Sequence, residues 1–144
     1  QWFVATEGER ELELGDVGRL TLVPGSRLRV RRLEAEKTDL YLARGEMEAL
    51  VSADARPRFF QVGTPATTCI DLGCRYTLRV DESGNSVVVV HTGQVAFENE
   101  GCEVFVPADA TCRAGRGVGA GTPRFLDTPA PLTAALDAFD AARG

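Results

Sequence analysis

The chain has one histidine and one methionine in 144 residues, and its only lysine, Lys37, stands against fifteen arginines. The lysine scarcity reads as a bias of base composition. The histidine scarcity is chemically informative. With only His91 available, three-histidine zinc centres and cupin-like metal clusters are excluded. A serine triad would have no other base, and none of Ser26, Ser52, Ser83 and Ser86 sits in a nucleophile-elbow context. Positive charge is also short. The formal charge of −5 argues against a nucleic-acid partner, which wants a basic surface. No run of about 18 apolar residues offers a spanning helix, and no charged-then-apolar leader is present. The start at Gln1-Trp2-Phe3-Val4 suits a piece that begins just after a membrane anchor.

What is present is a folded composition. Apolar residues make up 44% of the chain, normal for a globular protein, and the length suits one core. Most of the sequence alternates apolar and polar: Glu11 to Leu14, Arg19 to Leu22, Arg27 to Arg31, Asp39 to Leu42, Glu46 to Ala49, Tyr76 to Val80 and Gln94 to Phe97. Such alternation predicts half-buried strands. Val87 to Val90 is a continuous β-branched run, which predicts a strand buried on both faces. Turn signals punctuate these runs at Gly15-Asp16, Pro24-Gly25, Arg44-Gly45, Glu82 to Asn85, Gly93, Glu98 to Gly101 and Pro107 to Asp109. The expected fold is all-β, a two-sheet sandwich or a solenoid-like coil, with a short C-terminal helix.

Two short echoes suit the solenoid form. Leu42 to Met47 resembles Val90 to Val95, and Val23 to Ser26 resembles Val106 to Asp109. Their unequal spacing argues against a true repeat. Gly115, Gly117, Gly119, Gly121 and Pro123 predict an irregular connection. They do not fit a dinucleotide loop, since the third glycine comes early and Thr122-Pro123 stops any helix. Beyond it, Leu132, Leu136 and Phe139 share one helical face expected to pack on the sheet, with Asp127 or Thr128 as cap. The division expected is a β domain over 1–114, then a connector and packed helix over 115–144.

Several candidates for chemistry have plainer readings. Arg27, Arg29 and Arg31 share a strand face, which is either a solvated surface or a patch for an anionic glycan, lipid or protein. Glu11 with Glu13, and Glu46 with Glu48, are solvated faces before they are a glycosidase pair. Asp81 to Asn85 lacks EF-hand spacing and reads as a hairpin loop with Gly84 at positive φ. Tyr41, Phe59, Phe60, Tyr76, Phe97 and Phe105 read as core residues rather than as a glycan-binding platform.

Cys69, Cys74, Cys102 and Cys112 are an even set in a small β-rich chain, which predicts two disulfides and an oxidising compartment. Three pairings are open. Cys69 and Cys74 would lie ~16 Å apart in one unbroken strand, so they can meet only across a sharp turn at Asp71-Leu72-Gly73. A structural zinc site is the rival, but the second ligand pair would be C-x9-C, wider than such sites use.

The order Thr64-Pro65, Asp71-Leu72-Gly73, Tyr76 to Val80 and Gly93-Gln94-Val95 resembles the signature of FecR-type domains. So do Gly18, Leu20, Leu22, Pro24, Ser26 and Leu28 upstream, Leu42 to Met47 with Met47 for the usual valine, and Pro107-Ala108-Asp109 for the usual Pro-Ala-Gly. The resemblance covers roughly Gly18 to Cys112. It implies a non-enzymatic sensor or protein-interaction domain of a transmembrane sigma-factor regulator, periplasmic or extracellular and tethered to the inner membrane in the whole protein. It implies a protein partner and no cofactor, metal, nucleic acid or membrane contact by this part. The alternative is a secreted or periplasmic glycan-binding β module. In one group of similar sequences the cysteines matching Cys74 and Cys112 recur together. The resemblance therefore implies Cys74–Cys112, leaving Cys69–Cys102, each worth about 3–4 kcal/mol in the chain-entropy account.

Overall fold

A computed structural model describes residues 2–4, 10–13, 18–34, 37–52 and 60–143. Leu14, the Gly15-Asp16 turn and Phe59 lie outside them. The chain is mostly β, with 61% of residues in strands, a nearly closed sheet and one short C-terminal helix. In chain order the elements are β1 (Trp2–Val4), β2 (Arg10–Glu13), β3 (Gly18–Leu22), β4 (Arg27–Leu33), β5 (Thr38–Val51), β6 (Phe60–Gly63), β7 (Thr68–Asp71), β8 (Arg75–Val80), β9 (Ser86–Thr92), β10 (Gln94–Asn99), β11 (Cys102–Pro107), β12 (Ala110–Gly115), β13 (Gly119–Ala120), β14 (Arg124–Phe125) and α1 (Ala130–Arg143).

The main path of the sheet runs β11-β10-β7-β6-β5-β8-β9-β12-β13. β5 is the hinge of this arrangement. Its first half, Thr38 to Arg44, pairs with β4 and β6 in one half of the sheet. Its second half, from Gly45, pairs with β3 and β8 in the other. The Arg44-Gly45 signal is therefore not a turn between two strands. It is a kink within one strand, where Gly45 takes φ +103°, a conformation that costs glycine little.

Alternation decides what the two halves bury. Leu20, Leu22, Leu28, Leu42, Met47, Phe60, Tyr76, Leu78, Val88, Val90 and Phe97 all point inward and are fully buried in one apolar cluster. Burying each such side chain stabilises the fold by about 1.5–3 kcal/mol. The outward residues carry charge pairs: Arg75 Nε meets Glu48 Oε1 at 2.8 Å and Arg79 meets Glu46 at 2.8 Å. The run Val87 to Val90 departs from expectation. Val88 and Val90 are buried, but Val87 and Val89, on the opposite face of the strand, are only half-buried.

The helix also departs from it. Leu132 and Phe139 are exposed, at 52% and 55%, while Thr133, Leu136 and Asp140 are half-buried. Polar contacts hold α1 instead. Arg124 reaches Asp137 at 2.6 Å and Asp140 at 3.2 Å, and Thr122 Oγ1 donates to Asp140 at 2.6 Å. Neither expected residue caps the helix. The Thr128 hydroxyl donates back to the Phe125 carbonyl, and the first helical bond runs from Thr133 N–H to the Pro129 carbonyl. The glycine connector is tighter than expected, since Gly115 and Gly119 pair across a short hairpin.

Asp109, where the resembling sequences carry glycine, sits at φ +64°. Left-handed backbone costs a non-glycine residue roughly 1–2 kcal/mol, and glycine returns about 0.5–1 kcal/mol of that as unfolded-chain entropy. Asp109→Gly is thus expected to stabilise the domain by about 0.5–1 kcal/mol, read as a higher urea midpoint with unchanged slope.

Candidate functional site

The sequence motif folds into corners, and the ends of the sheet leave a seam. At the corner between β7 and β8, Asp71 is 2% exposed. Its Oδ1 accepts the Gly73 N–H at 2.5 Å and its Oδ2 accepts the Cys74 S–H at 3.1 Å. The carboxylate thus closes a turn in which Gly73 takes φ +88°. Leu72 N–H donates to the Gln94 carbonyl at 3.2 Å, tying this corner to the start of β10. Gly93, at φ +76°, lies directly on Gly73 and Cys74: a β-carbon there would collide with the Gly73 carbonyl oxygen and sit 2.8 Å from Cys74 Cβ. The two halves of the motif, far apart in sequence, are one contact.

Thr64-Pro65 builds a second such joint. Thr64 Oγ1 accepts the N–H groups of Ala66 and Thr67 at 3.1 Å each and the Ser86 hydroxyl at 2.8 Å. Pro65 packs against Gly84 in the β8–β9 loop, leaving no room for a β-carbon there. Asn99 completes it, donating to the Ala66 carbonyl at 2.7 Å. Ser86 and Asn99 escape a sequence reading, because a lone serine or asparagine at a strand end carries no spacing signal. The upstream motif does the same work. Ser26 Oγ donates to the Glu46 carbonyl and accepts the Glu46 N–H, both at 2.9 Å, beside Gly45.

Burial dominates the electrostatics here. It raises the Asp71 carboxyl from 3.8 to about 6, partly offset by the bonds from Cys74 and Gly73. The same burial, with Asp71 nearby, pushes the Cys69 and Cys74 thiols far up, and Cys112 is pushed up to about 12. Tyr76 is raised as well, chiefly by burial.

All four cysteines are unbridged, three buried and Cys102 exposed. Register explains why neither implied pair meets. β9 lies between Cys112 and the strand that Cys74 leads into, and β10 lies between the strands of Cys69 and Cys102. Two strand spacings are ~10 Å, beyond the ~4.4–6.8 Å that a bridge accepts between Cα atoms. A buried thiol with a raised pKa is inert. In the native protein one thiol, Cys102, is expected to react with an aromatic disulfide reagent, and all four after denaturation without reductant. A native count of zero would mean that Cys102 is bridged.

The remaining candidates fall apart spatially. His91 is exposed, with Nε2 2.9 Å from Thr77 Oγ1. Asp81 closes a hairpin, accepting Ser83 and Asn85 N–H groups at 2.9 and 3.0 Å. Arg27, Arg29 and Arg31 do share an exposed face, and Arg31 stacks on Tyr41 at 4.3 Å. Phe60, Tyr76 and Phe97 are core, Tyr41 is half-buried, and Phe105, expected in the core, is 50% exposed on β11. A cavity of about 640 Å³ lies beside α1, but its Arg124 is already engaged by Asp137 and Asp140. A second, of about 550 Å³, lies in the seam between the two ends of the sheet path. It is lined by Cys102 and Val104 of β11, and by Gly119 and Ala120 of β13. Among the described residues no group of three or more His, Cys, Asp or Glu side chains could hold a metal, and no helix is long and apolar enough to cross a membrane.

Comparison with known proteins agrees with the corner motif. Two crystal structures, each of a candidate anti-sigma factor from Parabacteroides distasonis ATCC 8503, share this fold. One superposes with a TM-score of 0.71 at 18% identity, covering 94% of this chain and 64% of that one. The other gives 0.70 at 16% identity, covering 87% of this chain and 59% of that one. The chain thus spans about three fifths of the length of those proteins. No curated protein matches it. Residues 1–96 match the family described as FecR protein, and the chain belongs to that family.

Proposed function

We propose that this chain is the extracytoplasmic part of a FecR-like transmembrane regulator of an alternative sigma factor, a non-enzymatic sensor that acts by binding another protein. The observation that carries this reading is the use of the family motif. Thr64, Pro65, Asp71, Gly73 and Gly93 hold corners of the sheet, and none presents a group to a substrate. A motif spent on shape suits a domain recognised by its surface. Family membership and a fold shared with candidate anti-sigma factors point the same way. Tyr76, Phe60 and Phe97 fill the core and so are not available to a glycan-binding platform.

The test uses the exposed Cys102 in the full-length protein. A membrane-impermeant maleimide is expected to label it in cells with a permeabilised outer membrane and an intact inner one, with Cys102→Ser as the blank. Replacing residues 1–144 by an unrelated β domain is expected to abolish signal-dependent transcription by the partner sigma factor. Labelling only after lysis, or transcription that still responds to the signal, would overturn the proposal.

A further inference from the structure

We infer that α1 and the strap before it, residues 119–126, form a releasable clasp over the outer edge of β12, held shut by one charge cluster. The inference goes beyond the proposed function and does not depend on it. β12 pairs with β9 along one edge. Along the other it has two short ladders, Ala114 and Gly115 with β13, and Ala110 and Thr111 with β14. Between the ladders, Gly121 N–H donates to the Arg113 carbonyl at 2.8 Å. The next two residues turn to the helix. Thr122 N–H donates to the Asp140 carboxylate at 3.0 Å, and Pro123 has no N–H to give β12. The middle of the strap is thus tied to α1, and the two form one unit.

Charge closes this unit more than apolar burial does. The Arg124 side chain is 12% exposed, and its guanidinium reaches Asp137 at 2.6 Å and Asp140 at 3.2 Å. It also donates to the Thr133 carbonyl at 3.2 Å. Meanwhile Leu132 and Phe139 stay about half-exposed. A cavity of about 640 Å³ separates Asp137, Asp140 and Ala141 from Arg113, Gly115 and Val118. Without the cluster, the strap rests on its two-residue ladders and on single bonds from Gly121 and Leu126. Segments held by few buried apolar contacts open well before the whole domain does. Opening here bares the outer edge of a six-residue strand that the closed form hides.

Cys112 reports on the clasp. It is buried, its Sγ lies 3.6 Å from the Gly121 carbonyl oxygen, and the charges of Asp140 and Arg124 both bear on its thiol. Cys69, buried between β6 and β10, reports on the core. The probe is iodoacetamide in excess, applied over hours to Cys102→Ser protein, with each cysteine followed by peptide mass spectrometry. Cys112 is expected to label faster than Cys69. Its rate should rise little with low urea, while that of Cys69 climbs with the steep slope of global unfolding. Asp140→Asn keeps the shape and removes the charge, and should speed Cys112 labelling about tenfold. Salt raised to about 1 M should speed it in the parent more than in Asp140→Asn. A circular dichroism melt checks that the variant folds; if it does not, the urea slopes of the parent decide alone. Equal rates and equal urea slopes for Cys112 and Cys69 would overturn the inference. So would a folded Asp140→Asn that labels like its parent, or a salt response the same in both.

Discussion

Gly93→Ala is expected to remove a large part of the domain's stability, and Gly45→Ala to do nearly as much harm. Each glycine combines two constraints. Their φ angles, +76° and +103°, are ones that L side chains rarely adopt, at roughly 1–2 kcal/mol. A β-carbon would also collide with backbone: the Gly73 carbonyl oxygen in one case and Ser26 Cα in the other. Backbone cannot swing aside as a side-chain tip can, so overpacking adds about 1–3 kcal/mol. The sum, about 2–5 kcal/mol, is a large part of the ~5–15 kcal/mol that holds a domain together. Gly25 is the control. It has φ +89° but nothing within 4 Å of a β-carbon, so Gly25→Ala should cost only about 1–2 kcal/mol. Urea titrations followed by circular dichroism would rank the three. Equal losses at Gly25 and Gly93 would show that backbone strain alone matters, and that the corners do not lock.

Those glycines show where the sequence was legible. Alternation finds a strand because one face is buried, so β3, β4, β8 and β10 could be read from their leucines and valines. The echo between Leu42–Met47 and Val90–Val95 was also meaningful, since each holds a glycine where the chain passes from one half of the sheet to the other. What alternation cannot supply is the neighbour. Phe105 looks like a core residue by type, yet it lies on the uncovered face of an edge strand. Leu132 and Phe139 have helical spacing, but spacing states that a face exists and not that anything covers it. The parallel pairing of β5 with β6 has no local signature either, because parallel strands meet only through a long connection. Cysteine count misled for a related reason. An even number permits bridges, while register decides them, and here it interposes a strand. Of the site, the motif residues were legible through resemblance, but their work at the corners was not. The seam needed the strand order.

Asp71 should make stability depend on pH in the direction opposite to a salt-bridged carboxylate. Its carboxyl is raised from 3.8 to about 6 by burial, so between those values the folded state holds a proton that the unfolded chain has released. Stability from this residue is therefore fully present below about pH 4 and is lost as pH rises through about 6. The shift amounts to about 2–3 kcal/mol. Cys69, Cys74 and Tyr76, its buried neighbours, are all pushed upward and stay neutral across this window. Asp71→Asn keeps an oxygen for the Gly73 N–H and cannot ionise. Comparing it with the wild type removes every other titrating group from the difference. The wild type is expected to lose about 2–3 kcal/mol relative to Asp71→Asn between pH 4 and pH 7, seen as urea midpoints that converge in acid or cross. Two profiles that stay parallel would mean that the Asp71 carboxylate is ionised throughout, and that the bonds from Gly73 and Cys74 outweigh its burial.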